Sequence, residues 1–168
     1  VHRLVGSEMC IRDSDISVVD LERVEDSFHS RFDAIDRTYS YLIFNSPSRN
    51  VLLDDFYYWE QAELDIKKMN EESKCLIGKH DFTSFRSLSC GSNNPERNIK
   101  KIEINKLGNI VEIKITANAF LQNMVRIIVG TLLEIGKYQI KIPLKEILES
   151  KDRNLSLIHI SEPTRRCT

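Results

Sequence analysis

An α+β domain, with helices packed on a largely antiparallel sheet, is the fold class that this sequence predicts. Three patterns carry that expectation. Residues Arg37–Asn45 alternate strictly, with Tyr39, Tyr41 and Ile43 toward one side, Ser40, Leu42 and Phe44 toward the other, and Asn-Ser-Pro closing the run. Two more apolar runs, Ile99–Lys106 and Ile110–Thr116, flank Leu107-Gly108-Asn109 as the arms of a hairpin, with Ile102 and Ile104 on the same side as Val111, Ile113 and Ile115. Residues 118–136 place apolar side chains at 120, 121, 124, 125, 128, 132 and 135, the spacing of a helix face resting on a core.

The other elements are predicted in chain order. Asp15–Val24 reads as a strand and Phe56–Trp59 as a short one. Leu64–Ile77 is expected to be an amphipathic helix with Leu64, Met69, Leu76 and Ile77 inward and Gly78 just past its end. Residues 80–92 are expected to be irregular and 93–95 a loop. In the long helix, Asn118 is placed to cap the start and Gly136 to supply a left-handed stop. Leu144–Ser150 forms a last short helix after Pro143.

A chain of 168 residues with 41% hydrophobic content suffices for one domain, or a large piece of one, with a core of its own. The formal net charge of −1 excludes a globally basic polyanion binder and leaves a local basic patch open. The apolar runs are too short and too interrupted by charge for a transmembrane helix. Cys10, Cys75, Cys90 and Cys167 form no C-x-x-C pair, which points to free thiols in a reducing, cytoplasmic setting. His2, His29, His80 and His159 are scattered, so no metal site is expected. Residues 1–14 and 156–168 lack both periodicities; the strings MCIRDS and LIHISEPTR resemble translated sequencing-adapter ends. Both ends are expected to be non-native, leaving residues 15–155 as the body.

Three groups of residues suggest chemistry. Arg126 lies in the middle of an otherwise apolar helix, and an arginine that folding buries must find a partner. On a helix it would share a flank with Ala119, Gln122, Asn123 and Gly130, a stripe open to close approach, although a solvated face explains the same pattern. The tyrosines of Arg37-Thr-Tyr-Ser-Tyr41 can stack on a nucleobase, or simply belong to the core. His80-Asp-Phe-Thr-Ser-Phe-Arg86 gathers a His, an Asp and a Ser, which suggests a hydrolase. Triads, however, are assembled from separated positions, and a loop pinned by Phe82 and Phe85 fits the string better.

Six blocks in order resemble the bacterial tRNA pseudouridine synthase A family. They are Phe28-His-Ser-Arg-Phe32, Arg37-Thr-Tyr-Ser-Tyr41, residues 78–86, Asn94-Pro-Glu-Arg-Asn98, residues 117–136 and Lys151-Asp-Arg153. The resemblance runs from about residue 15 to 155 and covers the C-terminal half of the family's catalytic fold. It implies isomerisation of uridine to pseudouridine in the anticodon stem-loop of tRNA. A catalytic aspartate starts the reaction, the glycosidic bond breaks, and the base re-bonds through carbon 5. By the same resemblance Tyr39 packs on the target base, Arg126 pairs with the aspartate, and Arg37, Arg86, Arg97 and Asn123 bind substrate. No cofactor and no metal are implied; the implied partners are tRNA and a second copy in a homodimer, and the implied location is the cytoplasm. The family's Arg-Thr-Asp-x-Gly-Val-His motif does not occur in this sequence. The chain is therefore expected to lack a nucleophile and to be inactive alone, the alternative being a non-catalytic RNA-binding or dimerisation module.

Overall fold

The computed structural model describes residues 20–53, 56–87, 90–92, 94–152 and 154–156. The chain divides into two compact units, residues 1–34 and 35–168. Of the adapter-like residues 1–14 and 156–168, all but Ser156 lie outside the described residues, as do Asn93 and Arg153; Ser156 is buried. Of the strand expected over 15–24, residues 20–24 are described and form no strand.

The described part of the first unit is a short turn system. Phe28 N–H donates to the Glu25 carbonyl (3.0 Å), and the His29 carbonyl accepts from Phe32 (3.0 Å) and Asp33 (2.9 Å). Asp33 closes the turn by accepting the His29 N–H at 2.7 Å. The His29 and Phe32 rings lie 4.3 Å apart.

The second unit is built on a five-stranded sheet in the order β2-β1-β5-β4-β3. Its strands are β1 (Arg37–Asn45), β2 (Tyr58–Glu60), β3 (Gly78–Asp81), β4 (Glu96–Leu107) and β5 (Ile110–Ala117). Only β1 and β2 run parallel; every other pairing is antiparallel. The strand at 37–45 and the hairpin stand as expected from alternation. Leu107 pairs with Ile110, so the loop is Gly108-Asn109, and Gly108 takes φ +58 at the first loop position, a conformation that glycine adopts without strain.

Register explains which side chains meet. Tyr39, Tyr41 and Ile43 stand opposite Ile115, Ile113 and Val111, which stand beside Ile102, Ile104 and Lys106. A bulge after Ile99 leaves Lys100 unpaired and returns Ile99 to the same side as Ile102. This face carries the core: Ile43, Ile99, Val111, Ile113 and Ile115 are fully buried. The other face is polar. Thr38 and Thr116 share a 2.9 Å hydroxyl contact, and Ser40 donates to Glu112 at 2.5 Å.

Strand β3 differs from the irregular segment expected there. Gly-Lys-His-Asp has no apolar alternation, and its extended form comes from pairing with Glu96–Ile99 of β4, a partner distant in sequence. The same pairing starts β4 three residues before the predicted boundary.

Three helices, α1 (Ile66–Ser73), α2 (Met124–Gly136) and α3 (Leu144–Ser150), complete the unit. Helix α1 begins where Asp65 accepts the Lys68 N–H at 3.0 Å, and it runs into a 3-10 turn over Lys74–Leu76. Met69 of α1 and Met124, Ile128 and Leu132 of α2 are fully buried. Helix α2 starts five residues later than expected, after Asn123 rather than after Asn118. The Asn118 side chain accepts the N–H groups of Asn98 (3.0 Å) and Ala119 (2.9 Å), tying the chain to the sheet end instead of capping a helix. Asn123, at φ +60, turns the chain into α2.

Gly136 is the last residue of α2, not a left-handed stop; Tyr138 takes the positive φ of 59°. The reason for glycine at 136 is packing. A Cβ there would lie 2.7 Å from Met69 Sδ, inside contact distance, where α1 and α2 approach. The Gly136 carbonyl also accepts the Asp65 N–H at 3.1 Å, coupling the end of α2 to the start of α1.

Candidate functional site

The late start of α2 moves Arg126 from the expected middle of a helix to its first turn. There it is exposed, so the burial that would have compelled a partner does not occur. Ala119, Gln122 and Asn123 precede the helix, and Gly130 is buried, so the expected five-residue stripe does not form. The first turn of α2 contains no acidic residue. Arg126 therefore adds its charge to the positive end of the helix dipole and makes that end electropositive.

The two ends of α2 approach the tyrosine side of β1 and β2. The Arg126 guanidinium bears on Tyr41 and favours its ionised form, yet burial of the ring, aided by neighbouring Tyr58, pushes the Tyr41 hydroxyl up to about 12. At the other end of α2, Lys137 reaches Glu60 of β2 at 3.1 Å and also pairs with Glu134. Burial opposes the charge on Lys137, but these two carboxylates more than offset it and raise its pKa. Tyr58 is raised too, first by burial and then by Glu60.

Tyr39, two residues before Tyr41 on the same face, lies outside the core. The residue is 54% exposed, and its ring meets that of Phe120 in a T-shaped pair, with centroids 5.2 Å apart and planes at 86°. The side chain is thus half-exposed at the sheet end, with Phe120 packed against it.

The same end collects the other expected residues. Arg37, at the start of β1, donates to the Asn118 carbonyl at 2.7 Å. Arg97 donates to the carbonyls of Asn94 (2.9 Å) and Glu96 (2.6 Å) and to the Ser92 hydroxyl (3.0 Å), bracing the loop before β4. Arg86 and Arg97 both bear on the Cys90 thiol, whose pKa is lowered mainly by the backbone N–H groups of Ser92 and Gln122. Ser87 N–H donates to the Gln122 carbonyl at 3.1 Å, joining that loop to the segment before α2. Asn123 is exposed beside this segment. Arg37, Tyr39, Arg97 and Asn118 are thus gathered where β1 begins and β5 ends, with Arg126 on the helix that covers the same face.

Sequence reasoning missed two participants. Asn118 looked like a helix cap, and Cys90 carried no motif at all. A faint signal existed for Asn118: it is the second residue of the block that contains Arg126 and lies just past the predicted strand Ile110–Thr116.

The His80–Asp81–Ser84 string builds structure. His80 Nε2 lies 3.0 Å from the Ile77 carbonyl. Asp81 accepts the Thr83 N–H (3.0 Å) and hydroxyl (2.6 Å) and pairs with Lys151 at 2.9 Å. Ser84 is fully buried and donates to the Ile147 carbonyl at 2.8 Å, anchoring α3. With its hydroxyl committed there, Ser84 is not a triad nucleophile.

A helix-backed, mostly antiparallel sheet whose end carries an open tyrosine and several arginines defines an α+β domain suited to stacking on a base and contacting phosphate. Comparison with known proteins specifies the family. The family model described as tRNA pseudouridine synthase matches residues 73–165. A protein of Francisella tularensis subsp. novicida (strain U112) named tRNA pseudouridine synthase A is 44% identical over 140 residues, covering 83% of this chain and 54% of the relative. One of the same name from Francisella philomiragia is 44% identical over 139 residues, covering 82% of this chain and 54% of the relative. This chain belongs to the tRNA pseudouridine synthase family. It spans about half the length of the curated relatives it matches.

Proposed function

We propose that this chain is the part of a tRNA pseudouridine synthase that supplies the base-stacking tyrosine and the carboxylate-pairing arginine, and that the longer protein isomerises uridine in the anticodon stem-loop of tRNA. The observation that carries this reading is the placement of Tyr39 and Arg126. An open ring held by Phe120 stands on the sheet face that the arginine-bearing helix covers.

The geometry supports a division of labour. A target uridine must leave its stack, at a cost of about a few kcal/mol, and the free Tyr39 ring offers a surface on which the extruded base can lie. Arg126, at the electropositive start of α2, would pair with the catalytic aspartate of the remaining half, keeping it ionised and fixed in direction. Arg37, Arg86, Arg97 and Asn123 surround this end and would hold the RNA backbone, with phosphate contacts setting register. The reaction exchanges a carbon–nitrogen for a carbon–carbon bond within one nucleoside. It needs no external oxidant and no cofactor. A homodimer with tRNA across both subunits, in the cytoplasm, completes the proposal.

The test is tritium release from tRNA carrying 5-tritiated uridine. The 168-residue chain alone is expected to release none above background, while binding RNA with an affinity that falls steeply with salt. Placing the N-terminal part of the novicida relative before residue 15 is expected to give turnover. In that longer protein Arg126→Ala and Tyr39→Ala should each lower kcat by roughly a hundredfold or more, as loss of a preorganised electrostatic or positioning group does. Turnover by the chain alone refutes its lack of a nucleophile. Near-normal rates in either variant remove that residue from the site. Salt-dependent binding with no turnover in the longer protein favours a non-catalytic RNA-binding module.

A further inference from the structure

We propose that Asn118 is a positioning residue whose side-chain oxygen replaces its own carbonyl in the sheet ladder, turning that carbonyl to Arg37 and carrying Phe120 onto Tyr39. The inference rests on the reading above, in which Tyr39 packs on the target base and Arg37 holds RNA.

The first observation is an exchange of acceptors in the ladder. Ala117, the last residue of β5, pairs with Ile99 of β4, so Asn118 comes next, opposite Asn98. In an ordinary hydrogen-bonded antiparallel pair each residue gives the other both its N–H and its carbonyl. Half of that exchange is present, since the Asn118 N–H donates to the Asn98 carbonyl at 3.2 Å. In the return bond the Asn98 N–H donates to the Asn118 side-chain oxygen at 3.0 Å. The Asn118 carbonyl, left out of the return bond, accepts from the Arg37 guanidinium at 2.7 Å.

The second observation is the path that follows. The same side-chain oxygen accepts the Ala119 N–H at 2.9 Å, and one residue further on the Phe120 ring meets Tyr39, with centroids 5.2 Å apart. Arg37 and Tyr39 lie two residues apart on β1, so one side chain sets the surroundings of both. The bond to Arg37 directs the guanidinium through a neutral carbonyl and brings no negative charge to where phosphate is to bind. An asparagine or an aspartate offers an acceptor oxygen at this reach, and an alanine offers none. With alanine the acceptor left at this position for the Asn98 N–H is the main-chain carbonyl. Turning it there withdraws it from Arg37 and redirects the chain toward Phe120.

The test compares Asn118→Ala with Asn118→Asp, which keeps the acceptor oxygen. In the longer protein Asn118→Ala should lower kcat about tenfold, through a displaced Tyr39 ring, and raise KM for tRNA through a misdirected Arg37. Asn118→Asp should restore most of kcat. In the 168-residue chain, the Tyr39 ring signals are read by NMR on tyrosine-labelled protein and assigned with Tyr39→Phe. They should move in Asn118→Ala in the direction they move in Phe120→Leu, and stay in place in Asn118→Asp. A hydrogen bond that only stabilised the fold would lower the melting temperature and leave these signals where they are. Unmoved Tyr39 signals in Asn118→Ala overturn the inference, whatever the rate does. So does an unchanged kcat in a protein that Tyr39→Ala does inactivate, or an Asn118→Asp protein as slow as Asn118→Ala. An unchanged KM overturns the half that concerns Arg37. A near-normal rate in Tyr39→Ala overturns the reading beneath, and the ring signals then decide the coupling of Asn118 to Tyr39 by themselves.

Discussion

Replacing Lys137 with methionine should be among the most damaging single changes to this fold, and the damage should depend on pH. The Lys137 side chain is 13% exposed, and its ammonium pairs with Glu60 (side chain 11% exposed) and Glu134 (22%), with the Glu60 oxygen at 3.1 Å. Methionine keeps most of the stem and its packing but leaves two enclosed carboxylates without a cation. Removing one partner of a buried ion pair typically costs about 3–5 kcal/mol. The lower end applies here, because Glu60 keeps the Ala62 N–H at 3.0 Å and the less enclosed Glu134 can turn outward. The expected loss is about 3 kcal/mol near pH 7.

Its pH dependence follows from the charges. In the variant, protonating the stranded carboxylates relieves the penalty, so the difference from the parent should shrink as pH falls toward the ordinary carboxylate range. In the parent, Lys137 has a folded pKa above 10.5, so its contribution is complete below 10.5 and is lost as pH rises through that folded value. The assay is urea unfolding of the chain followed by circular dichroism at pH 4 and pH 7, with m-values compared. A loss below about 1 kcal/mol at pH 7, or one equally large at pH 4, would refute the description of this cluster as a buried, charge-compensated tie. The consequence reaches the site, because the cluster fastens the far end of the Arg126 helix to β2.

Other perturbations test other parts of the structure. Ile113→Ala, at a fully buried position between Tyr41 and Ile104, should cost about 3–4 kcal/mol through lost burial and a residual cavity, and a urea midpoint near the parent's would show the core collapsing around it. Gly108→Ala has open space for its Cβ but not the conformation, so about 1 kcal/mol should be lost to the positive φ, with Gly108→Asn recovering most of it in the same melts. Cys90 should react with iodoacetamide near neutral pH well before Cys75, whose thiol burial pushes up to about 11. Peptide mapping by mass spectrometry separates the two, and equal rates would contradict the environments described for them.

The legible parts of the fold were those whose pattern is local. Alternation in Arg37–Asn45 and across the hairpin is a property of neighbouring residues, and a one-residue slip would turn Ile113 and Ile115 outward, so the sequence allows one register. The start of α2 was misread because residues 118–123 fit the helical period, while the force that decides their path, the Asn118 side chain on Asn98, is a tertiary contact. Strand β3 was missed for the same reason, since its only stabilising signal lies in β4. At the site, the resemblance directed attention to Tyr39 and Arg126, but neither exposure nor neighbours can be read from a string.

By itself, then, the sequence determined the α+β class, the central strands, the presence of an apolar helix bearing one arginine, and family membership. Periodicity and motif are written in the order of residues. Only the tertiary structure decided that Arg126 stands in the first turn and in the open, that Tyr39 and Phe120 meet at right angles, and that the Tyr41 hydroxyl is enclosed without a hydrogen-bond partner among the described residues. Those outcomes depend on which distant groups displace water from one another, and that is settled when the helices close over the sheet.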